Sequence, residues 1–347
     1  MPISIRDLEE AAAAGWRAPE ETMMKGDRRG QGRWVGGGGW LLRAAGGFTG
    51  RANSALATGD PGMPLADAVG EVCRWYTVRG LPALVSVAYP IGDPDADPVD
   101  RFLAGRGWPV RSGAATVMTA ASADVADAAA DAAAAVRVDL AAEPDEAWLG
   151  RYRFRGQPLP PIARRLLLSA PWQRFASARE EGRTIAVGRV AVADGWAGLT
   201  AVEVDPAHRR RGLGQAITGA LAAAAVQRGA ANLYLQVEND NTAARALYRQ
   251  AGFTDHHGYH YRVAPETREA QGAREAQGAR KAHGEQEEQE ERRRSVRGHA
   301  SGAAQRTNSS TLSMLYSTIH SIGSRSGKSP SSSRSGPSIS DRCIARR

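Results

Sequence analysis

Cysteine is nearly absent. Cys73 and Cys343 are the only two in 347 residues, and they lie far apart, so neither a disulfide framework nor a cysteine-rich zinc site can be assembled from them. Long hydrophobic runs are absent too: the longest, residues 216–226, is Ala-rich and well short of the roughly 20 residues that span a bilayer. The first fifteen residues carry Asp7, Glu9 and Glu10, where a secretory leader has positive charge followed by an apolar core. These absences imply a soluble, reduced, cytoplasmic protein with no metal centre and no membrane partner. The net charge of +8 invites a nucleic-acid partner, but its location argues otherwise. Residues 264–347 hold 15 Lys/Arg against 9 Asp/Glu, so the rest of the chain is nearly neutral. A binding face for nucleic acid clusters its cations on an ordered element; here only weak contact through the basic tail is expected.

What is present is concentrated between Leu199 and Phe253. Residues 199–204 (Leu-Thr-Ala-Val-Glu-Val) alternate and carry β-branched side chains, as a half-buried strand does, and Asp205-Pro206 ends that strand. Arg209-Arg210-Arg211-Gly212-Leu213-Gly214 follows. Then Leu213, Ile217, Ala220, Leu221 and Ala224 recur at helical spacing, with Gly229 just past the helix end. A helix N-terminus leaves backbone N–H groups unpaired and carries partial positive charge, so a strand, a glycine turn and a helix together can hold a phosphate without any side chain. Two other phosphate loops fail on spacing: a dinucleotide fingerprint needs a third glycine where Ile217 stands, and a Walker A loop needs Gly-Lys-Ser/Thr at the end of the turn. Beyond the helix, residues 232–237 read as a second strand, 238–241 (Glu-Asn-Asp-Asn) as a turn and 242–251 as a short helix closed by Gly252-Phe253.

This stretch resembles the GCN5-related N-acetyltransferase (GNAT) family. Arg209, Gly212 and Gly214 match its Arg/Gln-x-x-Gly-x-Gly/Ala motif, and Asn241, Ala244, Tyr248, Gly252 and Phe253 approximately match its Asn-x-x-Ala-x-x-x-Tyr-x-x-x-Gly-Phe pattern. The resemblance implies an enzyme that moves an acetyl group from acetyl-CoA to a primary amine by direct attack through a tetrahedral intermediate, without a metal. It also implies site residues. Backbone groups of Val202, Glu203 and Val204 would pair with the pantetheine arm. Arg209 and the N–H groups of Arg210, Arg211, Gly212, Leu213, Gly214 and Gln215 would take the pyrophosphate. Asn241 would hydrogen-bond the cosubstrate or cap its helix. Tyr248 stands where the family's general acid stands, and a backbone N–H near Val204 would hold the oxyanion.

The rest of the chain is expected to follow the same plan twice, as a mixed α/β (α+β) fold of two tandem GNAT-like domains, each a mostly antiparallel twisted sheet flanked by helices. Helix 65–79, Gly80, strand 83–88, helix 99–105, Gly107-Trp108 and strand 109–119 can be laid beside the stretch from the phosphate-turn helix onward at an offset of about 145–150 residues. At that offset the phosphate turn falls on Asp60-Pro61-Gly62-Met63-Pro64-Leu65, where Asp60 would repel phosphate and two prolines remove donors, and Tyr248 falls on Leu103. Residues 1–120 therefore read as a degenerate GNAT-like domain, preceded in its sheet by helix 5–16 and strands 40–43 and 50–57, with a Gly/Arg-rich mobile loop at 25–39. Residues 121–135, rich in Ala and Asp, read as a linker with little to bury. Residues 136–263 read as the catalytic domain, and residues 264–347, low in complexity, as a disordered tail; Gly327-Lys328-Ser329 within it lacks the strand and glycine of a phosphate loop.

The general base is the least defined position. Many relatives carry a glutamate where this chain has Gln236, which accepts no proton usefully. Glu203 is the first candidate, with Glu238, His208 or a water chain as alternatives. Sequence alone leaves open the acceptor, whether small amine, peptide N-terminus or lysine, and a competing class: a non-catalytic acyl-CoA-binding regulatory protein.

Overall fold

Strands that alternate in polarity, some joined directly and some through helices, form one sheet here. The computed structural model describes residues 3–24, 39–153 and 156–265. The expected tail, the triplet at 327–329 and most of the Gly/Arg-rich loop lie outside the described residues. In chain order the elements are α1 (Ile5–Ala14), β1 (Glu20–Met24), β2 (Trp40–Ala44), a 3-10 turn (Gly50–Ala52), β3 (Ala55–Ala57), α2 (Leu65–Thr77), β4 (Leu84–Pro90), α3 (Pro98–Ala104), β5 (Ala115–Ala121), α4 (Ser122–Ala128), α5 (Ala130–Ala135), β6 (Val138–Ala141), α6 (Glu146–Arg151), α7 (Ile162–Leu167), β7 (Trp172–Glu180), β8 (Arg183–Ala193), β9 (Trp196–Val204), a second 3-10 turn (Pro206–His208), α8 (Leu213–Gln227), β10 (Asn232–Glu238), α9 (Thr242–Gln250) and β11 (Thr254–Val263).

The strands form one sheet of eleven in the order β1-β2-β3-β4-β11-β5-β10-β9-β8-β7-β6. Only β3 with β4 and β9 with β10 run parallel; the other neighbours are antiparallel. The fold is thus the expected mixed α/β, mostly antiparallel type, but the two halves do not have separate sheets. Their last strands are exchanged: β11 pairs with β4 and β5 pairs with β10, and the two exchanged strands pair with each other in the middle. The exchange leaves neither β4 nor β10 with an open edge, and an open edge is a liability. Residues 1–265 form one compact unit. Among the described residues no helix is long and apolar enough to cross a membrane.

Several local differences from the sequence expectation have identifiable causes. Residues 50–57 are not one strand, because Thr49 (φ +59°) turns the chain into a 3-10 turn and only Ala55–Ala57 pairs. Residues 109–119 become regular only from Ala115, after Gly113 at φ +91°. Strand β1 escaped notice because Glu20, Glu21 and Thr22 are exposed on a sheet edge and show no apolar alternation. Residues 121–135 fold as α4 and α5 on the side of α8, with Val125 fully buried. Close approach makes up for the lack of large side chains: a Cβ on Gly219 would lie 2.3 Å from that of Ala129.

Four apolar clusters hold the unit together, and three of them mix the halves, the largest by packing Met118 of β5 among residues of the second half. One joins Trp16, Phe48 and Ala52 to Trp148, Leu166 and Phe175; another joins Leu8 of α1 and Val117 to Tyr234, Tyr259 and Tyr261. The exchanged strand is also pinned by a buried ionic cluster. Asp100 of α3, 1 % exposed, accepts from Arg262 Nε and Nη2 (both 2.7 Å) and lies 2.6 Å from His260 Nε2. Burial pushes the Asp100 carboxyl up, but Arg262 and His260 outweigh it and hold it below the usual range. A folded pKa below the unfolded one gives stability that is complete above about pH 4 and is lost as pH falls through the folded pKa. Asp100→Asn strands a buried guanidinium and should destabilise the fold by about 3–5 kcal/mol. Urea unfolding at pH 7 measures the loss; a change under about 1 kcal/mol would show that β11 is held by pairing alone.

Candidate active site

The site lies where two parallel strands part. Residues 196–199 of β9 pair with 232–235 of β10; beyond Leu199 and Leu235 the two strands have no mutual partners, β9 continuing against β8 and β10 against β5. A bulge in β9 drives the separation. The register with β8 shifts between the pairs Arg189–Thr200 and Val187–Glu203, and Ala201 stands at φ +54°, a conformation that costs a non-glycine residue about 1 kcal/mol or more. Gly188 sits opposite the bulge. A Cβ there would be 2.6 Å from Ile217 and 2.9 Å from Leu221, so only glycine lets α8 press against this point of the sheet.

A cavity of about 350 Å³ fills the fork. Its walls are Leu199–Glu203 and Leu235–Glu238 from the two strands, Asn241, Ala244 and Tyr248 from the α9 side, Tyr152 and Arg153 after α6, and Trp16, Phe48, Thr49 and Arg51 from the first half. Of the residues singled out from sequence, Val202, Glu203, Asn241 and Tyr248 line this one cavity. Val204 and residues 209–215 do not line the cavity. They adjoin it: the Cβ position of Gly214 is 3.1 Å from Leu247 and 3.9 Å from Val204, placing the first turn of α8 between the end of β9 and α9.

That first turn suits an anion. Gly212 occupies the position before α8 at φ +77°, with no side chain capping the helix and no acid in its first turn. Arg210 is also left-handed at φ +60°. Arg211 is not free for a ligand without competition, since Nη2 and Nη1 donate to Glu180 at 2.5 and 3.3 Å. His208 pairs with the same Glu180 (3.2 Å) and with Asp205 (3.5 Å), outside the cavity wall. The unpaired inner edge of β9 past Leu199 and the uncapped helix start fit the amides and the pyrophosphate of a pantetheine nucleotide.

The polar groups in the cavity are differently engaged. Tyr248 is buried against Phe253, ring centroids 5.8 Å apart, and burial pushes its hydroxyl up to about 12, so it is protonated at neutral pH. Asn241 caps α9, its side chain accepting from Ala244 N at 3.1 Å. Glu203 accepts from Arg151 (3.4 Å) and from the backbone N–H of Arg153 (2.8 Å), and Arg151 also holds Asp205 at 2.6 Å. Gln236 Oε1 is buried with no hydrogen-bond partner among the described residues. A first half that packs against the second and shapes the acceptor cleft is expected from sequence, but none of its wall residues is singled out there. Trp16, Phe48, Thr49 and Arg51 belong to no motif.

A parting parallel strand pair, a bulge at the fork and a glycine turn opening onto α8 mark an acyltransferase of the GNAT type. Residues 3–262 match the family model described as the probable histone acetyltransferase Rv0428c C-terminal region, and the chain belongs to this family of N-acetyltransferases. It is similar to the uncharacterized N-acetyltransferase YobR of Bacillus subtilis (29 % identity over 270 residues, 75 % of this chain and 98 % of that protein). It is also similar to the probable histone acetyltransferase Rv0428c of Mycobacterium tuberculosis (30 % over 269 residues, 76 % and 74 %). Among solved structures, a GCN5-related N-acetyltransferase from Kribbella flavida has the same fold, with a TM-score of 0.51 at 18 % identity over 77 % of this chain and 98 % of that one. Members of the family use acetyl-CoA as cosubstrate.

Proposed function

We propose that this chain transfers an acetyl group from acetyl-CoA to an amine in the fork cavity. The observation that carries this reading is the convergence on one cavity of a protonated phenol, Tyr248, and the unpaired edge of β9. The amine nitrogen bonds to the thioester carbonyl carbon, the carbon–sulfur bond breaks, and a proton passes to the departing sulfur. Backbone N–H groups from Arg210 to Gln215 hold the pyrophosphate, and the edge of residues 202–204 orients the pantetheine arm. An N–H at the β9 bulge faces the developing oxyanion. Tyr248 supplies the proton. A phenol near 12 is a weaker acid than a thiol, so donation is coupled to release of the amine's own proton. Glu203 is assigned to accept that proton, in competition with Arg151 and the Arg153 N–H.

In the same reading the halves are related copies, residues 1–120 and 136–263, and only the second binds acetyl-CoA. Helices α2 and α8 start at equivalent places, but Asp60 accepts from Gly62 N at 2.8 Å and Asp67 lies in the first turn of α2, so that helix start already meets negative charge. Calorimetry should give one acetyl-CoA per chain, and thiol release should follow addition of an amine panel. Two sites per chain would overturn the degeneracy of the first half. Binding without release to any amine would favour the competing reading, a regulatory acyl-CoA-binding protein, for which Gln236 at the usual base position is the supporting observation.

A further inference from the structure

Two guanidinium groups stand at the wall that the first half adds to the cavity, and neither meets an acid. Arg189 of β8 is fully buried. It donates to the carbonyls of Leu167 (2.8 Å) and Gly15 (3.2 Å) and to Thr200 Oγ1 (3.5 Å), and its guanidinium lies 4.9 Å from the Trp16 ring centroid. Burial pulls its pKa down to about 10, which still leaves it charged at neutral pH. Arg51 lines the cavity itself. It is deeply set among Tyr259, Tyr261 and Tyr152, with part of its surface open to the cavity. Among the described residues no carboxylate lies within ion-pair distance of either arginine. Glu9 pairs with His257 Nε2 at 3.0 Å, Glu203 is held by Arg151 and the Arg153 N–H, and Glu238 lines the cavity from the end of β10.

An unpaired cation in a low-dielectric wall is unfavourable, and the fold holds this one in place. Asn53, 4 % exposed, accepts from the N–H groups of Ala45 and Gly47 and donates to the carbonyls of Phe48 and Thr49. Thr49 is kept at φ +59°. Gly50 admits no side chain, since a Cβ would fall 2.8 Å from the Tyr261 ring. The loop from Ala45 to Asn53 thus presents Phe48, Thr49 and Arg51 to the cavity in one fixed arrangement. Strain held at a ligand-facing loop is characteristic of preorganised recognition.

Resting on the acetyltransferase reading, we propose that Arg51 receives a carboxylate of the acceptor. The acceptor class is then a small amine that carries its own carboxylate, as amino acids and their close relatives do. Charge balance favours this class. Arg189 lies behind the lining and the lining carboxylates Glu203 and Glu238 stand on the two strands, so at Arg51 a lysine side chain would bring a second cation, whereas an amine with a carboxylate brings an anion that the guanidinium fork pairs through two parallel hydrogen bonds. Trp16, Phe48 and Tyr152 offer apolar surface to the carbon skeleton between the two groups.

Thiol release by the full chain, compared for small amino acids and their matched carboxamides, tests the proposal. The wild type should favour the acids in kcat/KM, and Arg51→Gln should lower the acid-to-amide ratio by about 10–100-fold, the loss of a charge-assisted hydrogen bond, mainly through KM. Arg51→Lys should restore part of it. A wild-type ratio at or below one, or a ratio untouched by Arg51→Gln in a variant that still binds acetyl-CoA, would overturn the proposal. Where the variant does not fold, the wild-type ratio decides. Release with amides or peptide amines but no acid refutes the carboxylate and leaves the acetyltransferase reading standing; release with no amine refutes the latter.

Discussion

Gly212→Asp should weaken acetyl-CoA binding by at least about 100-fold, close to 3 kcal/mol. The substitution is a clean probe because nothing lies within 4 Å of the Cβ it would add. The new side chain therefore meets solvent, not core. Its effect on the ligand has two sources: a carboxylate placed at the start of α8, where the helix end would otherwise attract a phosphate, and a backbone at φ +77° that a non-glycine residue adopts less readily. An acid at a helix start stabilises the helix itself, so the fold should survive while the ligand is lost. Gly212→Ala, which carries the backbone penalty without the charge, should lose less. Calorimetry on both variants reads the difference. Equal and near-wild-type affinities would remove the turn from the binding site.

Tyr248→Phe should lower kcat by about 10²–10⁴-fold if the phenol is the proton donor, with a floor near tenfold where water substitutes. The ring packs on Phe253 and is kept by the substitution, so acetyl-CoA affinity and thermal stability should change little. A fall in kcat and kcat/KM together identifies an interaction made in the transition state. Single-turnover measurement removes ambiguity from slow product release. Near-normal turnover would make Tyr248 a packing residue that merely borders the cavity. Glu203→Gln belongs in the same series: an unchanged pH–rate profile would pass the base's role to Glu238 or water.

The parts of the site legible in the sequence are those built from local signals. The phosphate turn, α8, the strand after it and α9 each advertise themselves through periodicity, a glycine at a left-handed position or a cap such as Asn241. The fork between β9 and β10 was implied by family resemblance, while its physical cause, the bulge at Ala201, has no sequence mark because alanine there is strained and not selected by propensity. Long-range features were illegible for the same reason in each case. Nothing near Glu203 announces Arg151, 52 positions away, and nothing near Arg51 announces that it lines the same cavity as Tyr248. Strand exchange is invisible to periodicity, since β5 and β11 alternate in the same way whichever neighbour they choose.

That exchange has a consequence for how the chain is made. Val85 pairs with Arg262 and Leu84 with Val263, so the first half acquires its last neighbour only when the final strand of the second half has been synthesised. Contacts between such distant positions raise contact order and slow folding, and β4 must wait on the ribosome with one edge bare. A chain shortened before Thr254 would leave β4 with only β3 and β5 with only β10 as neighbours, and separate expression of either half should yield an aggregation-prone fragment. Residues 1–265, one compact unit in space, should therefore also fold as one kinetic unit.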